Sequence, residues 1–271
     1  MIAVSNLAWP AEALEEALAL LAACDARGVE VAPTRMAPWD ALTPADLAAY
    51  RARLDVHGLV PSSLQAIFFG VPRAQLLGDS AGFDAMVDHL RRVGAVGQAL
   101  GVSTAVFGAP HNRLRGALTP ATAMELAAER LALLAPVAAD AGLVLAMEPV
   151  PAAYGSDFLM TWRAALALVR HVGHPAVRLH LDTACVALGG GDIAAAVSEG
   201  ADMLAHFHAA QPKLVDFAEP IPGHAAAGAA LARAGYNGWV AIEMLEQPDW
   251  RGALTGALAA VGAAYLPGGG A

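Results

Sequence analysis

Four side chains that can bind a metal ion end four successive apolar runs in the second half of the chain. These runs are LVLAME, VRLHLD, LAHFH and WVAIE, and they end at Glu148, Asp182, His208 and Glu243. A single glutamate at such a place is ordinary, because it can cap a helix or pair with an arginine. Four such residues at matching positions indicate one shared metal site.

Three carboxylates and one imidazole form a hard, oxygen-rich ligand set. This set suits one Mn²⁺, Mg²⁺ or Co²⁺ ion better than a structural zinc site would, although Zn²⁺ is also chemically allowed. A divalent ion there would act as a Lewis acid and stabilise an enediolate. Glu148 and Glu243 come from different runs and can flank a substrate, so we expect them to remove and return a proton on carbon.

The chain alternates between short apolar runs and helix-like segments. The runs predict buried strands at 2–8, 28–33, 59–68, 103–108, 143–148, 177–182, 203–208 and 239–243. The segments between them predict helices at 11–26, 43–56, 80–100, 119–141, 157–171, 191–200, 223–235 and 249–264. Thr43, Thr119 and Asp157 mark helix starts. Helix ends with left-handed glycine caps are predicted at Gly28, Gly58, Gly101, Gly142, Gly173 and Gly235.

Eight strand–helix units without a break in composition predict an α/β fold, a (β/α)8 TIM barrel formed by one domain over residues 1–271. An open doubly wound sheet is the alternative, but the regular repeat and the lack of a GxGxxG motif favour the barrel. In such barrels the chemistry lies where the strands end and the following loops begin. The four candidate ligands stand at that edge.

Composition limits the classes of partner. Hydrophobic residues make up 57% of the chain and charged residues 15%, which fits strands covered on both faces and an apolar outer patch, as in a homo-oligomer. The net charge of −9 argues against a nucleic-acid partner. The N-terminus lacks a basic signal segment, and the uncharged run after Arg251, closed by Pro267 and three glycines, fits a packed helix better than a membrane span. We therefore expect a cytoplasmic protein with no membrane partner.

The first half of the chain supplies further pocket candidates. Trp9 and Phe69 could form the walls for a small polyhydroxy carbonyl substrate, while Gln65, Asn112 and Arg113 could hydrogen-bond its hydroxyls or a phosphate. Glu30 and Arg35 border the end of the second strand.

Two histidines stand two residues before a candidate ligand. Strand alternation places His180 and His206 one layer deeper than Asp182 and His208. That position is more typical of a hydrogen-bonded supporting group than of a ligand. His180 is nevertheless kept, with Gln211, among the candidate substrate contacts.

Successive motifs resemble one known family. They are SNLAW, SSLQAIFFG, VFGAPHNR, EPVPAAYGSDF, HLDTA, HFHAAQP and GYNGWVAIEM. Their order resembles the sugar phosphate isomerase/epimerase family, with the xylose-isomerase-like barrel of the AP endonuclease family 2 superfamily. The ligand separations of 34, 26 and 35 residues are similar to those of ketose 3-epimerases. The resemblance implies that Glu148, Asp182, His208 and Glu243 hold the metal, and that the two glutamates also act as acid and base.

The chain departs from this family around the substrate. Val150 replaces the asparagine of EPNP, and Ala109 and His111 alter the SPKNR motif. Ala209, Ala210 and Gln211 stand where the family usually has HISEP. Cys185 stands where the epimerases usually have a histidine, and Tyr154 replaces a second glutamate. The metal set is thus kept while the substrate shell is changed.

The sequence therefore predicts a divalent-metal-dependent sugar isomerase or epimerase. It would work by proton transfer next to a carbonyl, through a metal-stabilised enediolate. A metal-dependent dehydratase of a keto-polyol would share that intermediate. An AP-endonuclease-like phosphodiesterase would need more histidine ligands and a basic groove, and a non-catalytic barrel would not need the ligand set. The acidic chain and His111 in place of the motif lysine favour a substrate without phosphate.

Overall fold

The computed structural model describes residues 1–266, and over this range eight parallel strands close into one barrel. The strands are β1 Ile2–Ser5, β2 Gly28–Val31, β3 Val60–Leu64, β4 Thr104–Phe107, β5 Val144–Met147, β6 Val177–Asp182, β7 Leu204–Ala210 and β8 Val240–Glu243. Each strand pairs with the next, and β8 pairs with β1. The predicted (β/α)8 fold is confirmed. Pro267 and the three glycines that were expected to close the last helix lie outside the described residues. The single domain over 1–271 therefore stays a prediction.

Helices cover the outside of the barrel. They are α1 Leu14–Ala23, α2 Pro44–Val56, α3 Ser80–Leu100, α4 Pro120–Asp140, α5 Trp162–Val172, α6 Thr183–Leu188, α7 Ile193–Gly200, α8 His224–Arg233 and α9 Trp250–Tyr265. The short helix α6 directly after β6 was not predicted. It matters for the site because its first turn is capped by the side chain of Asp182, whose Oδ1 accepts a hydrogen bond from the Cys185 N–H.

The strands are shorter or longer than predicted at several ends. β1 ends at Ser5 and β3 at Leu64, both earlier than predicted. The residues after each of these strands form loops. β5 ends at Met147, so Glu148 is the first residue beyond the strand. β7 continues to Ala210, two residues beyond His208. The expectation that each ligand is the last residue of its strand is therefore wrong for Glu148 and His208, by one or two residues.

Helix capping follows the sequence in two of three places. Thr43 and Thr119 cap α2 and α4 as predicted, each accepting a hydrogen bond from a backbone N–H in the first turn. Asp157 does not start α5. Its carboxylate instead accepts hydrogen bonds from the backbone N–H groups of Arg115 and Gly116, and Thr161 caps the helix.

Glycines end several helices as expected, with one exception. Gly101 and Gly173 are left-handed caps at φ of 76° and 62°, a conformation that glycine adopts without steric cost. Gly28 does not have a positive φ. It belongs to β2, where an added Cβ would lie 3.0 Å from the Trp239 ring, so its role is close packing rather than helix capping.

Within residues 1–266, no helix combines the length and the hydropathy that a membrane-spanning segment requires.

Candidate metal centre at the barrel mouth

The four predicted ligands converge at the C-terminal mouth of the barrel. Glu148, Asp182, His208 and Glu243 each offer one donor atom, and these atoms all lie within 4.8 Å of one another. Parallel strands bring them together because the carboxyl ends of all the strands meet at the same mouth of the barrel. Asp182 is paired with His208 in the β6–β7 ladder. Glu243 is paired with Ala210, two residues beyond His208, in the β7–β8 ladder.

Two donor atoms at the centre of this group have no hydrogen-bond partner within the described residues. They are Asp182 Oδ2 and His208 Nδ1. Both side chains are 1% exposed, so water does not compensate freely for the missing partners. His208 Nδ1 lies 3.2 Å from Glu243 Oε2 and 3.8 Å from Asp182 Oδ2. Buried polar atoms are normally satisfied, and a cation between these atoms would satisfy both.

Asp182 has its two carboxylate oxygens assigned to different tasks. Oδ1 accepts the Cys185 N–H at 2.6 Å and so fixes the rotamer of the side chain. Oδ2 is left free to face the other ligands. The adjacent Thr183 hydroxyl donates to the carbonyl of Ala210 and accepts its N–H, which ties the ends of β6 and β7 together. The ligand is thus oriented by the start of α6.

Glu148 is positioned by the loop after β4. The Arg113 guanidinium donates to the Glu148 carbonyl at 2.5 Å and to the Phe107 carbonyl at 3.3 Å, which fixes the backbone beside the ligand. A Cβ built on Gly108 would lie only 1.9 Å from Glu148 Oε2. Position 108 must therefore be glycine if the carboxylate is to keep this rotamer.

The crowding of carboxylates shifts their pKa values. Burial, and then the charges of Glu243 and Asp182, raise the pKa of Glu148 to about 8. Burial, and then Glu243, raise the pKa of Asp182 to about 6. Burial alone would lower the pKa of His208, but Glu30 and Glu243 raise it well above its ordinary value. Three acids held this close repel each other, and a divalent cation would relieve the repulsion.

This donor set fits a divalent metal ion. Three carboxylates and one neutral imidazole can all donate lone pairs to the same point, and hard oxygen donors suit Mn²⁺, Mg²⁺ or Co²⁺. The unsatisfied atoms of Asp182 and His208 support this reading independently of the residue types. The four residues could therefore hold one ion, as the sequence predicted.

A second polar layer lies directly beneath the ligands. Glu30 on β2 is fully buried and accepts hydrogen bonds from His206 Nε2 and Ser63 Oγ, both at 2.8 Å. Burial opposes its ionisation, but His208 and His206 lower the pKa of Glu30 well below its ordinary value. His206 is thus hydrogen-bonded in the deeper layer, as predicted. His180 differs, because neither ring nitrogen has a hydrogen-bond partner within residues 1–266.

Glu30 is the main residue of the centre whose role sequence reasoning missed. It was placed only at the border of the second strand. A glutamate inside the apolar run GVEVA was the available signal, because a charge inside a buried strand requires buried partners.

The ligands open into a cavity of about 350 Å³. Besides Glu148, Asp182 and Glu243, it is lined by Gly108, Ala109, Pro110, Val150, Tyr154, Cys185, Lys213, Leu214 and Leu245. Most of this wall is apolar. Among the described residues that line the cavity, Lys213 is the one basic residue. Cys185 Sγ lies 3.7 Å from Glu148 Oε1, and burial raises the pKa of this thiol.

The loop after β7 closes one side of the cavity. Lys213 and Leu214 both have a positive φ, of 63° and 54°, a backbone conformation that residues other than glycine rarely adopt. The Lys213 N–H donates to the Tyr154 hydroxyl at 2.7 Å, and the Leu245 N–H donates to the Leu214 carbonyl at 2.9 Å. Tyr154 and Leu245 therefore hold this loop from both sides, and the loop carries Lys213 to the mouth.

None of the seven predicted substrate contacts lines this cavity. They are Trp9, Gln65, Phe69, Asn112, Arg113, His180 and Gln211. Gln65 donates to Ser5 Oγ at 2.8 Å. Asn112 donates to the carbonyls of Val71 and Ala74. Gln211 bonds to His224 and to the Ile221 N–H. These amides hold the loops together, and their contact with a substrate stays a prediction.

The remaining predicted contacts are distributed differently. Trp9 is buried and lines a separate cavity between α1 and α2. Phe69 is 70% exposed and lines another cavity with Trp39. Arg113 is fully buried, and His180 lies beneath the ligands with its Nε2 3.9 Å from Glu148 Oε1. Of the seven, His180 and Arg113 are thus the ones that touch a ligand residue.

Comparison with known proteins agrees with this geometry. A protein-family model described as a xylose isomerase-like TIM barrel matches residues 18–261. The chain belongs to this family. The match covers β2 through β8 and includes all four candidate ligands. No curated protein is similar enough in sequence to match the chain.

Several solved structures share the barrel fold of this chain. A D-psicose 3-epimerase in the presence of D-fructose is 19% identical, with a TM-score of 0.81 over 97% of this chain and 98% of that chain. An L-ribulose 3-epimerase is 20% identical, with a TM-score of 0.81 over 97% and 93%. A 3-keto-D-glucoside 4-epimerase from E. coli is 16% identical, with a TM-score of 0.73 over 93% and 97%. At these identities the likeness establishes the fold.

Proposed function

We propose that this protein is a divalent-metal-dependent isomerase or epimerase acting next to the carbonyl of a sugar or related polyhydroxy compound. The observation that carries the proposal is the convergence of four donor side chains at the barrel mouth, two of them with unsatisfied buried donor atoms. The solved structures described as sugar 3- and 4-epimerases support it by sharing the fold. Glu148, Asp182, His208 and Glu243 would hold the ion, and Mn²⁺, Mg²⁺ or Co²⁺ suits them best.

Glu148 and Glu243 are the proposed proton-transfer pair. The bound ion would supply Lewis-acid stabilisation of the negative charge that develops on the substrate oxygens. Both glutamates line the cavity, one from the loop after β5 and one from the end of β8. One carboxylate would take the proton from carbon and the other would return a proton to the opposite face. In the metal-free protein, burial and the charges of Glu243 and Asp182 raise the pKa of Glu148 to about 8, so binding of the ion would displace its proton and leave a carboxylate that can act as a base.

The proposed substrate is a polyhydroxy carbonyl compound without a phosphate. A phosphate dianion requires arginine or lysine, a helix N-terminus or several backbone N–H groups. Arg113 is buried and donates to two backbone carbonyls, and Lys213 is the basic residue at the described cavity wall. Three carboxylates around a doubly charged ion would also leave the centre about one charge negative. Both features disfavour a phosphate beside the metal.

The test replaces each proposed proton-transfer group by its isosteric amide. Glu148→Gln and Glu243→Gln should each lower turnover about 10²–10⁴-fold on any ketose that the wild-type protein converts. Reaction in D₂O should place deuterium on the carbon next to the carbonyl. Glu246→Gln is the matched control, because Glu246 is an exposed glutamate three residues from Glu243 and pairs with Arg35. It should keep full turnover.

Full turnover in either active-site amide variant would contradict the assignment. Loss of a β-hydroxyl from the substrate, seen as an unsaturated product, would instead identify the same centre as that of a dehydratase. Absence of deuterium alone would not decide, since one glutamate can carry the same proton throughout. The amide variants are therefore the deciding arm.

A further inference from the structure

We infer that Glu30 is a positioning residue that fixes the protonation and orientation of His208, so that its Nδ1 lone pair faces the metal. This inference rests on the proposed metal centre. Glu30 belongs to β2, on the opposite part of the barrel from the ligands that β5 to β8 carry. Its side chain is 0% exposed, and it reaches across the barrel interior to His206 and His208 on β7.

Side chains from two other strands hold the Glu30 carboxylate in place. Ser63 on β3 donates its hydroxyl to Oε1 at 2.8 Å, and His206 on β7 donates Nε2–H to the same oxygen at 2.8 Å. Both bonds act on Oε1. The other oxygen, Oε2, is thereby aimed at His208 Nε2, which lies 2.8 Å away. The carboxylate is therefore fixed by partners that are not themselves metal ligands.

The contact between Glu30 and His208 is electrostatic rather than a well-aligned hydrogen bond. The two atoms are at hydrogen-bonding distance, but the ring N–H direction falls outside hydrogen-bond geometry. The negative charge of the carboxylate attracts a hydrogen on Nε2 even when the N–H does not point straight at Oε2. A carboxylate is only an acceptor, so its charge favours the form of the imidazole that carries hydrogen on Nε2.

That choice of tautomer decides whether His208 can be a ligand. A neutral imidazole has one N–H and one lone pair. With hydrogen on Nε2, the lone pair is on Nδ1, and Nδ1 faces Glu243 Oε2 at 3.2 Å. The opposite tautomer would direct an N–H at the metal position. Carboxylates that orient ligand histidines in this way typically contribute about 10–100-fold to metal affinity.

The alternative is that Glu30 only joins strands β2, β3 and β7. Such a structural role would change folding stability but not the preference of His208 for one tautomer. Ser63→Ala separates the two, because it removes the hydrogen bond that joins β3 to Glu30, while His206 still holds Oε1 and the charge still faces His208. Glu30→Gln keeps the size of the side chain and removes the charge.

The experiment measures Co²⁺ affinity of the purified full-length chain against a competing chelator, without any use of turnover. Glu30→Gln should weaken binding about 10–100-fold, and Glu30→Asp, which keeps a charge at a shorter reach, should weaken it less. Ser63→Ala should stay within threefold of the wild-type protein. In the metal-free protein, nitrogen NMR should show hydrogen on Nε2 of His208, and in Glu30→Gln this hydrogen should move partly to Nδ1, which faces Glu243.

Less than threefold weakening in Glu30→Gln would overturn the inference. If that variant does not fold, the pair Glu30→Asp and Glu30→Asn decides, because these two differ in charge at equal size, and equal Co²⁺ affinities in the two would overturn the inference. A wild-type protein that binds no Co²⁺ would instead refute the metal centre itself. Equal binding by the wild-type protein and Glu30→Gln would refute only the role of Glu30, so the two failures are distinguishable.

Discussion

The two halves of the barrel use their strand ends differently. β5 to β8 and the residues that follow them turn four carboxylate or imidazole groups toward one point, and two of these groups have buried donor atoms without a hydrogen-bond partner in residues 1–266. The polar side chains at the ends of β1 to β4 instead bond to the protein. Gln65 bonds to Ser5, Asn112 to two loop carbonyls, and Arg113 to the backbone on either side of Glu148.

This difference shows how the chemistry is supported. Both halves contain buried polar atoms without a hydrogen-bond partner within residues 1–266, and in the first half these include Gln65 Oε1 and Arg113 Nε. The unpartnered atoms of Asp182 and His208 face one point that a ligand can occupy, while the first half supplies side chains that hold the candidate ligands in place. Arg113 and Gly108 after β4 position Glu148, and Glu30 on β2 faces His208. The comparison therefore predicts that changes in the first half act on the metal centre without touching the metal.

The largest such effect is expected from Gly108→Ala. The added methyl group would lie 1.9 Å from Glu148 Oε2, so the carboxylate must leave its position. We expect metal affinity to fall about 10–100-fold and turnover to fall about 100-fold. Isothermal titration with Mn²⁺ and steady-state kinetics would measure both.

Gly256→Ala is the matched control for this variant. Gly256 lies on α9, is exposed, and has open space where a Cβ would be. It should leave metal affinity and turnover unchanged. An unchanged metal affinity in Gly108→Ala would show that Glu148 is not held in the rotamer described, and would break the proposed dependence of one half on the other.

The next effect is expected from pH. The pKa values of Glu148 and Asp182 are raised to about 8 and about 6, so both acids must lose protons to bind the ion. Both acids are easier to bury when they are protonated, so the metal-free fold is most stable at low pH and loses this stability as pH rises through 6 to 8. The ion competes with the same protons. Metal affinity should therefore increase between pH 6 and 8, by up to about tenfold per unit for each displaced proton.

The increase should appear as a metal-induced rise in Tm that is larger at pH 8 than at pH 6. Glu148→Gln should flatten the upper part of this dependence, since it removes the group whose pKa is about 8. Metal affinity that is constant between pH 6 and 8 in the wild-type protein would contradict the described repulsion among the acids.

The smallest difference is expected between free and phosphorylated substrates. Arg113 donates to backbone carbonyls rather than to the cavity, so a phosphate should not improve kcat/KM tenfold. Arg113→Ala should destabilise the fold by about 1–3 kcal/mol through the unpaired carbonyls, and should affect paired substrates alike. A phosphate preference of tenfold or more that Arg113→Ala abolishes would make Arg113 a phosphate-binding residue and reverse this prediction.

Much of the barrel, and the convergence of the four candidate ligands at its mouth, could be predicted from sequence because both follow from periodic patterns. Eight apolar runs with helical segments between them predict the fold, and Asp182 or His208 at the end of such a run predicts which edge it faces. The roles of side chains that form hydrogen bonds to residues distant in the sequence were harder to predict. Asn112 and Gln211 look like free polar groups in the sequence, and only the folded loops show that Val71, Ala74 and His224 use their hydrogen-bonding capacity.

Other features depend on distances that no local pattern contains. The role of Glu30 depends on reaching His208 across the barrel, 178 positions later in the chain. The requirement for glycine at 108 depends on the carboxylate of Glu148 and not on backbone φ. The proposed cytoplasmic location and homo-oligomer likewise stay predictions from composition.

The most direct measurement of the central claim is elemental analysis of the purified protein and its Asp182→Ala variant. The wild-type chain should hold about one divalent ion after equilibration with Mn²⁺, because Asp182 Oδ2 and His208 Nδ1 are buried and no group among residues 1–266 serves as their hydrogen-bond partner. Asp182→Ala should hold none, while Asp192→Ala, which removes the capping aspartate of α7, should keep it. A wild-type protein without metal, or an Asp182→Ala protein that keeps its full metal content, would contradict the account.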